Sequence, residues 1–322
     1  MSADPKTEAL ARLGRAQKVA VISHIRPDCD TLGAGLGLRL ALESLGKEVV
    51  HCCSDPVPER YLFLSGLREV RAALPENFDL LVSVDCSDHL RMGAFGEAFL
   101  KAPNTLNIDH HRSNLKEGKI NVVEDASSCS EIVFDLIGAM GVKLTYDMAL
   151  PLYFGLASDT GNFTHSNTTA RSFATAAVLK EILGDVSDYV YLLFKENPLP
   201  RFRLLANTLS GAKFFADDRL CVLSVRRADL ERFGADSSMT EGFVDYAVNC
   251  APAYVGVSIL EAADKQNVYK ISFRSKGKVD VCELCESFGG GGHTRAAGCV
   301  ICGRYEDVLD KVVKAVTDRL PF

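Results

Sequence analysis

The chain has 322 residues, 47% of them hydrophobic, with 36 basic against 42 acidic residues and a net charge of −6. That length and apolar content allow a sizeable core divided over two domains, and the acidic balance argues against the extended basic surface that holds long nucleic acid. No apolar run reaches the length of a membrane span and residues 1–15 lack a signal-peptide core, so a soluble, cytoplasmic protein is expected.

In chain order, Lys18 to Ile22 is an apolar, β-branched segment that predicts a buried strand. It is followed by Ser23-His24-Ile25-Arg26-Pro27-Asp28-Cys29-Asp30-Thr31-Leu32-Gly33-Ala34, and then by Leu36 to Leu45, a helical pattern closed by Gly46. One histidine and two carboxylates thus lie on a strand-to-helix loop, the place where open α/β sheets bind ligands. Pro27 stiffens the loop, and Asp28 and Asp30 can both point one way. Imidazole and carboxylate without thiolate suit a hard or borderline divalent cation. The same residues also fit a helix N-cap at Asp30 or Thr31 beside an incidental histidine.

Glu48 to Cys53 predicts the next strand, then a turn-rich stretch with Pro56 and Pro58, then a strand from Asp79 that ends on Asp85. Arg91 to Lys101 predicts a helix, and Asn104 to Asp109 a strand that runs into His110 and His111. Lys119 to Val123 reads as a strand, and Ser128 to Met140 and Asp147 to Ala157 as helices, the second leading to Asp159-Thr160-Gly161. Thr168-Thr169 can cap a helix through Leu183. This alternation implies a parallel sheet covered on both faces. Carboxylates and histidines recur at the ends of buried elements, where a packed core has no use for them because buried charge is costly unless paired or metal-bound. The pattern points to a metal site.

Val186 to Gly211 is helical in pattern but interrupted by Asn197-Pro198-Leu199-Pro200, as in a connector. Beyond it, Ala212 to Phe215, Leu220 to Val225, Tyr254 to Ala262 and Val268 to Ser275 read as strands. Ala228 to Phe233, Thr240 to Asn249 and Tyr305 to Leu320 read as helices. The expected fold is α/β: a mostly parallel sheet in an N-terminal domain over 1–185, a helical connector over 186–211, and a smaller α+β domain over 212–322, with a cleft between the domains.

Eleven cysteines, an odd number without an export signal, argue against a disulfide framework. Cys282-x-x-Cys285 with Cys299-x-x-Cys302 has zinc-ligand spacing. Against zinc, the second pair falls in a strand-like run where residues three apart face opposite sides, and packed thiols are the default. Gly289 to Gly292 alone reads as a flexible turn. Four glycines can also expose backbone N–H groups as an anion nest, and Arg295 nearby can grip a phosphate bidentately. Arg274 is a further phosphate candidate, or a solvated charge at a strand end.

Taken together, His24-x-x-x-Asp28-x-Asp30, Asp85, Asp109-His110-His111 and Asp159-Thr160-Gly161 resemble, in order and spacing, the four motifs of DHH phosphoesterases. Gly289-Gly290-Gly291-Gly292-His293-Thr294-Arg295-Ala296-Ala297-Gly298 resembles the signature of their accessory domain, DHHA1. The five motifs cover nearly the whole chain. Ala34 stands where a serine is common, a departure that leaves every ligand position intact.

The resemblance implies a two-metal site in which His24, Asp28 and Asp85 hold one ion and Asp30, Asp85, His110 and Asp159 the other. Asp85 would bridge the ions, offsetting their repulsion, and the ions would activate a shared water. Two imidazoles among the ligands favour Mn²⁺ over Mg²⁺. Asp109 would orient a histidine, and His111 would act on the phosphoryl or leaving oxygen. Gly290, Gly291, Gly292, His293, Arg295 and Arg274 would bind substrate.

Within the family, the short two-domain chain resembles the nano-RNase and pAp-phosphatase group (NrnA-like). Its substrates are short RNA oligonucleotides and 3′-phosphoadenosine 5′-phosphate (pAp). No membrane and no stable complex with long nucleic acid is implied, and a homodimer is left open. The alternatives are a cyclic or linear dinucleotide phosphodiesterase and a non-catalytic nucleotide-binding protein; intact ligand positions argue against the last.

Overall fold

In the computed structural model, which describes residues 4–262 and 264–321, the chain divides into two units, Met1–Glu196 and Asn197–Phe322. The division falls at the start of the Asn197-Pro198-Leu199-Pro200 interruption.

The first unit contains, in order, α1 (Pro5–Arg15), β1 (Lys18–Ile22), α2 (Cys29–Ser44), β2 (Glu48–Cys52), β3 (Leu80–Val84), α3 (Gly96–Lys101), β4 (Thr105–Asp109), β5 (Ile120–Val123), α4 (Cys129–Ala139), α5 (Tyr146–Asp159), α6 (Ala170–Leu183) and α7 (Ser187–Phe194). Its five strands are all parallel, in the order β2-β1-β3-β4-β5. Successive strand residues serve opposite layers: Val19, Val21, Val82 and Val84 join one core, and Ala20, Ile22 and Leu81 the other. That two-sided burial is why the strands read as unbroken apolar runs rather than as alternating ones. The strand order reverses at β1 and β3, with β2 on one side and β3 on the other. A crevice at the carboxyl ends of the strands is expected at such a point, and His24 and Asp85 follow β1 and β3 there.

Helix α2 begins at Cys29, well before the Leu36 expected from periodicity. The reason is a cap: Asp28 Oδ1 accepts the N–H groups of Asp30 at 3.0 Å and Thr31 at 3.1 Å. Asp30 therefore lies in the first turn of a helix, not on a loop. α2 then packs closely against α5, where a β-carbon on Gly33 would press on the Pro151 carbonyl oxygen and the Gly155 backbone. Backbone cannot give way as a side-chain tip can. Gly33→Ala should therefore lower stability by about 1–3 kcal/mol. Urea unfolding should show a lower midpoint at unchanged slope; an unchanged midpoint would mean that the two helices separate freely.

The segment expected as a helix from Arg91 to Lys101 is instead a 3₁₀ turn, His89–Phe95, followed by α3. Gly93 breaks it with φ 58°. A side chain there would meet Ser54 and Ile25, so the turn lies directly on the His24 loop, and Ile25 N–H donates to Arg91 O at 2.8 Å.

The second unit contains α8 (Leu199–Ser210), β6 (Lys213–Phe215), β7 (Leu220–Val225), α9 (Arg227–Phe233), α10 (Phe243–Asn249), β8 (Val255–Glu261), β9 (Val268–Ser275), α11 (Val281–Glu286), β10 (Gly291–His293), β11 (Ala296–Cys302) and α12 (Tyr305–Thr317). The sheet order is β10-β11-β9-β8-β7-β6; β7 and β8 are parallel and the other pairs antiparallel. Val308, Val312 and Val316 of α12 share its core with Val222, Val257, Ile271 and Phe273. The helix expected from Thr240 starts at Phe243, because Gly242 adopts a left-handed φ of 79°. Among the described residues, no helix is long and apolar enough to cross a membrane.

Candidate active site

The carboxyl ends of β1, β3 and β4, the start of α2 and the last turn of α5 bring His24, Asp28, Asp30, Asp85, Asp109, His110, His111 and Asp159 into three overlapping groupings of potential metal ligands. These are His24 with Asp28 and Asp85; Asp30 with His110 and Asp159; and Asp85 with Asp109, His110 and His111.

Asp85 sits where the first and third meet. It is 3% exposed, its φ is 59°, and its backbone N–H donates to Ile108 O at 2.9 Å. A left-handed aspartate at a strand end is a strained conformation of the kind that collects at functional sites. One carboxylate oxygen, Oδ2, lies 3.4 Å from His24 Nε2, and the other, Oδ1, lies 3.3 Å from His110 Nε2. Asp85 Oδ1 is buried without a hydrogen-bond partner.

The histidines are fixed by backbone carbonyls. His24 Nδ1 pairs with Ile25 O at 2.8 Å and His110 Nδ1 with Ala126 O at 3.2 Å. A carbonyl can only accept, so each Nδ1 carries the proton and each Nε2 is turned to the carboxylates. This is the arrangement that presents an imidazole nitrogen to a metal. Nε2 of His24 is 3.5 Å from Asp28 Oδ2, and Nε2 of His110 is 3.3 Å from Asp159 Oδ2. Asp30 Oδ2 accepts Cys129 N–H at 2.6 Å, and its Oδ1 accepts Ser130 N–H at 2.9 Å, both from the first turn of α4. Thr31 joins the pieces, donating from Oγ1 to Val84 O at 3.0 Å and accepting from His24 N–H at 3.3 Å.

Without an ion the cluster is electrostatically frustrated. Burial, then the Asp85 charge, pushes Asp30 up to about 7. Burial, then the charges of Asp30 and Asp85, pushes Asp159 up to about 9. Burial opposes charge on His24 and His110, but their carboxylate partners prevail and hold both up at about 10. Carboxylates forced toward neutrality and imidazoles forced to keep protons mark a place short of positive charge. With the orphaned Asp85 Oδ1 and a hard O/N donor set, the residues present fit divalent cations.

Asp109 is fully buried. Burial works against its charge, but hydrogen bonds from His111 and Asn114 hold it below the usual carboxylate range. His111 Nδ1 lies 2.8 Å from Asp109 Oδ1, a contact that raises the His111 pKa; the ring is 43% exposed. Asn114, which the sequence did not flag, donates to Asp109 Oδ2 at 2.5 Å and to Asn107 Oδ1 at 2.8 Å.

In the second unit the glycine run is more ordered than a nest or a turn. Gly289 turns with φ 74°, and Gly291 to His293 form edge strand β10, paired with Gly298, Ala297 and Ala296. A β-carbon on Gly290 would meet Gly298 O and Cys299, so the close backbone approach there requires glycine. Gly292, His293, Thr294 and Arg295 line an open depression of about 630 Å³ together with Asp280, Cys282, Glu283 and Glu286. The Arg295 guanidinium packs over Gly277. Arg274 lies on β9 opposite Ala296 and Gly256, and its Nε donates to Asp245 Oδ1 at 3.1 Å. Cys285 and Cys299 are buried, and their thiols lie against each other.

Residues 18–156 match the DHH family, N-terminal domain, and residues 217–320 match the DHHA1 domain. The chain is 31% identical over 313 residues to the bifunctional oligoribonuclease and PAP phosphatase NrnA of Thermus thermophilus, covering 94% of this chain and 90% of that protein. It is 28% identical over 305 residues to the protein of the same name from Bacillus subtilis, covering 92% and 93%. Among solved structures, an exopolyphosphatase-related protein from Bacteroides fragilis matches with a TM-score of 0.88 at 24% identity, over 98% of this chain and 96% of that one, a likeness of fold.

Proposed function

This chain belongs to the DHH family, and from that premise we propose that it is a metal-dependent phosphoesterase that hydrolyses short oligoribonucleotides to mononucleotides and pAp to AMP. The observation that carries the reading is Asp85, whose two oxygens are turned to two different histidines, each with its own carboxylates. A single carboxylate reaching two ligand sets is what a pair of cations needs. His24, Asp28 and Asp85 form one set, and Asp30, Asp85, His110 and Asp159 the other. Bound there, two divalent ions, with Mn²⁺ the best match to the imidazole-containing sets, would acidify water and offset charge at phosphorus.

The protein's own groups do the rest. Ile25 O and Ala126 O fix the ring orientation of His24 and His110. Asp109 holds the Nδ1 proton of His111, so that the remaining nitrogen of this half-exposed ring can meet a phosphoryl or leaving-group oxygen. Gly290, Gly291, Gly292, His293 and Arg295 would hold the substrate's terminal phosphate, a grip that favours short chains. Arg274 is the weaker candidate, since Asp245 already neutralises it. The reading carries with it the cytoplasmic location expected from the sequence.

A substrate panel tests it. Metal-stripped protein supplied with Mn²⁺ should release AMP from pAp and mononucleotides from a 5′-phosphorylated dinucleotide. It should be at least about tenfold slower on a long single-stranded RNA with a 5′-hydroxyl end, the factor set by a lost terminal contact of on the order of 1.4 kcal/mol. Preference for cyclic di-AMP or pyrophosphate over both natural substrates would overturn the assignment.

A further inference from the structure

Glu131 is fully buried, lies in the first turn of α4, and is not among the groupings of potential ligands. Its Oε2 accepts Ser127 N–H at 3.0 Å, while Ser128 Oγ accepts Glu131 N–H at 3.1 Å. This is a capping box displaced by one residue. Arg171 Nε stands 3.9 Å from Oε2, and Oε1 is buried without a hydrogen-bond partner. A helix start needs only the serine cap. Burying a carboxylate whose second oxygen has no partner costs free energy, and the packing alone gives no reason to keep it.

The reason lies in what the segment carries. Ala126 O holds His110 Nδ1. The N–H groups of Cys129 and Ser130 hold the two oxygens of Asp30. Ser127 O accepts from Asn167 Nδ2 at 3.2 Å, and the same amide donates to Asp159 O at 3.2 Å, while Ser127 Oγ donates to Asn167 O at 2.7 Å. One short stretch, 126–130, thus touches Asp30 and His110 directly, reaches the Asp159 backbone through the Asn167 amide, and has no hydrogen bond to His24 or Asp28.

We propose that Glu131 is a positioning residue for one ion only: by clamping Ser127 it aligns Asp30 and His110 directly and Asp159 through Asn167, and it does not reach His24 or Asp28. The inference rests on the two-ion reading. A contact that orients ligands without touching the ion is worth about 10–100-fold in metal affinity, so the clamp is measurable by binding alone.

The experiment is Mn²⁺ calorimetry on metal-stripped protein in two backgrounds. His24→Ala cripples the His24 set and, leaving the Asp28 cap of α2 in place, spares Asp30, His110 and Asp159; Asp159→Ala cripples that trio and leaves the His24 set. Adding Glu131→Ala should weaken Mn²⁺ binding about 10–100-fold in the first background and less than about twofold in the second. Glu131→Gln, which keeps an oxygen for the Ser127 N–H, should restore binding in the first background to within about threefold of its parent, well inside the range of an orienting contact. Equal losses in both backgrounds would make Glu131 a general structural residue, and failure of the glutamine to rescue would remove the clamp; either overturns the inference while leaving two ions in place. A protein with all ligands intact that takes up one Mn²⁺ per chain overturns the two-ion reading, and this inference with it.

Discussion

Asp85→Asn is expected to abolish hydrolysis of pAp and of dinucleotides while leaving the fold intact. The side chain reaches Nε2 of both His24 and His110, so its charge is the one that both candidate ligand sets would share. Asparagine keeps the shape and tolerates the left-handed φ of 59° at this position. It replaces one carboxylate oxygen by an amide that cannot ligate, and it removes the charge that holds two cations close together. The loss of kcat should reach about a thousandfold or more, on the order of 4 kcal/mol in the barrier. Asp85→Ala should be as inactive and in addition less stable by about 1–2 kcal/mol, because alanine has no local hydrogen bond to offset the left-handed backbone. Circular dichroism and thermal melts separate the two effects. Near wild-type turnover by either variant with Mn²⁺ present would mean that Asp85 is not shared.

The second large effect should come from Arg295, and it should depend on the substrate. Arg295 is exposed beside the glycine hairpin, with its guanidinium over Gly277 and no ion pair among the described residues. A guanidinium in that state can meet a phosphate. Suppose it grips the 5′-phosphate of the nucleotide whose 3′-oxygen carries the scissile phosphorus. In pAp that phosphorus is a terminal monoester; in a short oligonucleotide it leads to the next nucleoside. One grip then serves both reactions. Arg295→Ala should cost each natural substrate about 1.5–3 kcal/mol, read as kcat/KM, from lost charge-assisted hydrogen bonds. Hydrolysis of bis-p-nitrophenyl phosphate, which has no terminal phosphate to hold, should hardly change. Equal losses on all three would turn Arg295 into a support for the fold, and a loss on one natural substrate alone would mean that the two bind differently.

Much of the candidate site was legible because His24, Asp85 and His110 follow buried strands, and buried strands announce themselves by unbroken β-branched runs. Asp85, His110 and the acid that ends α5 could be picked out by one rule: a charge at the end of an apolar run needs a partner. What the sequence did not disclose is long-range. Asp30 is held by amides of Cys129 and Ser130, on a different helix. No periodicity connects positions so far apart. The start of α2 was misplaced because Asp28 serves as both cap and candidate ligand, and apolar spacing registers only the later turns. Ser128-x-x-Glu131 was in plain view as a capping pattern, but its displaced register and its reach to His110 exist only in the folded chain. The glycine run hid a strand, since glycine carries no side-chain pattern; β10 is an edge strand defined by its pairing with β11.

The central claim is that two ions share Asp85, and anomalous diffraction at the manganese edge from crystals grown with Mn²⁺ tests it most directly. The account predicts two anomalous peaks in the first unit, one bounded by His24 and Asp28, the other by Asp30, His110 and Asp159, with an Asp85 oxygen on each. A single peak, or two peaks of which one lacks Asp85, would contradict it.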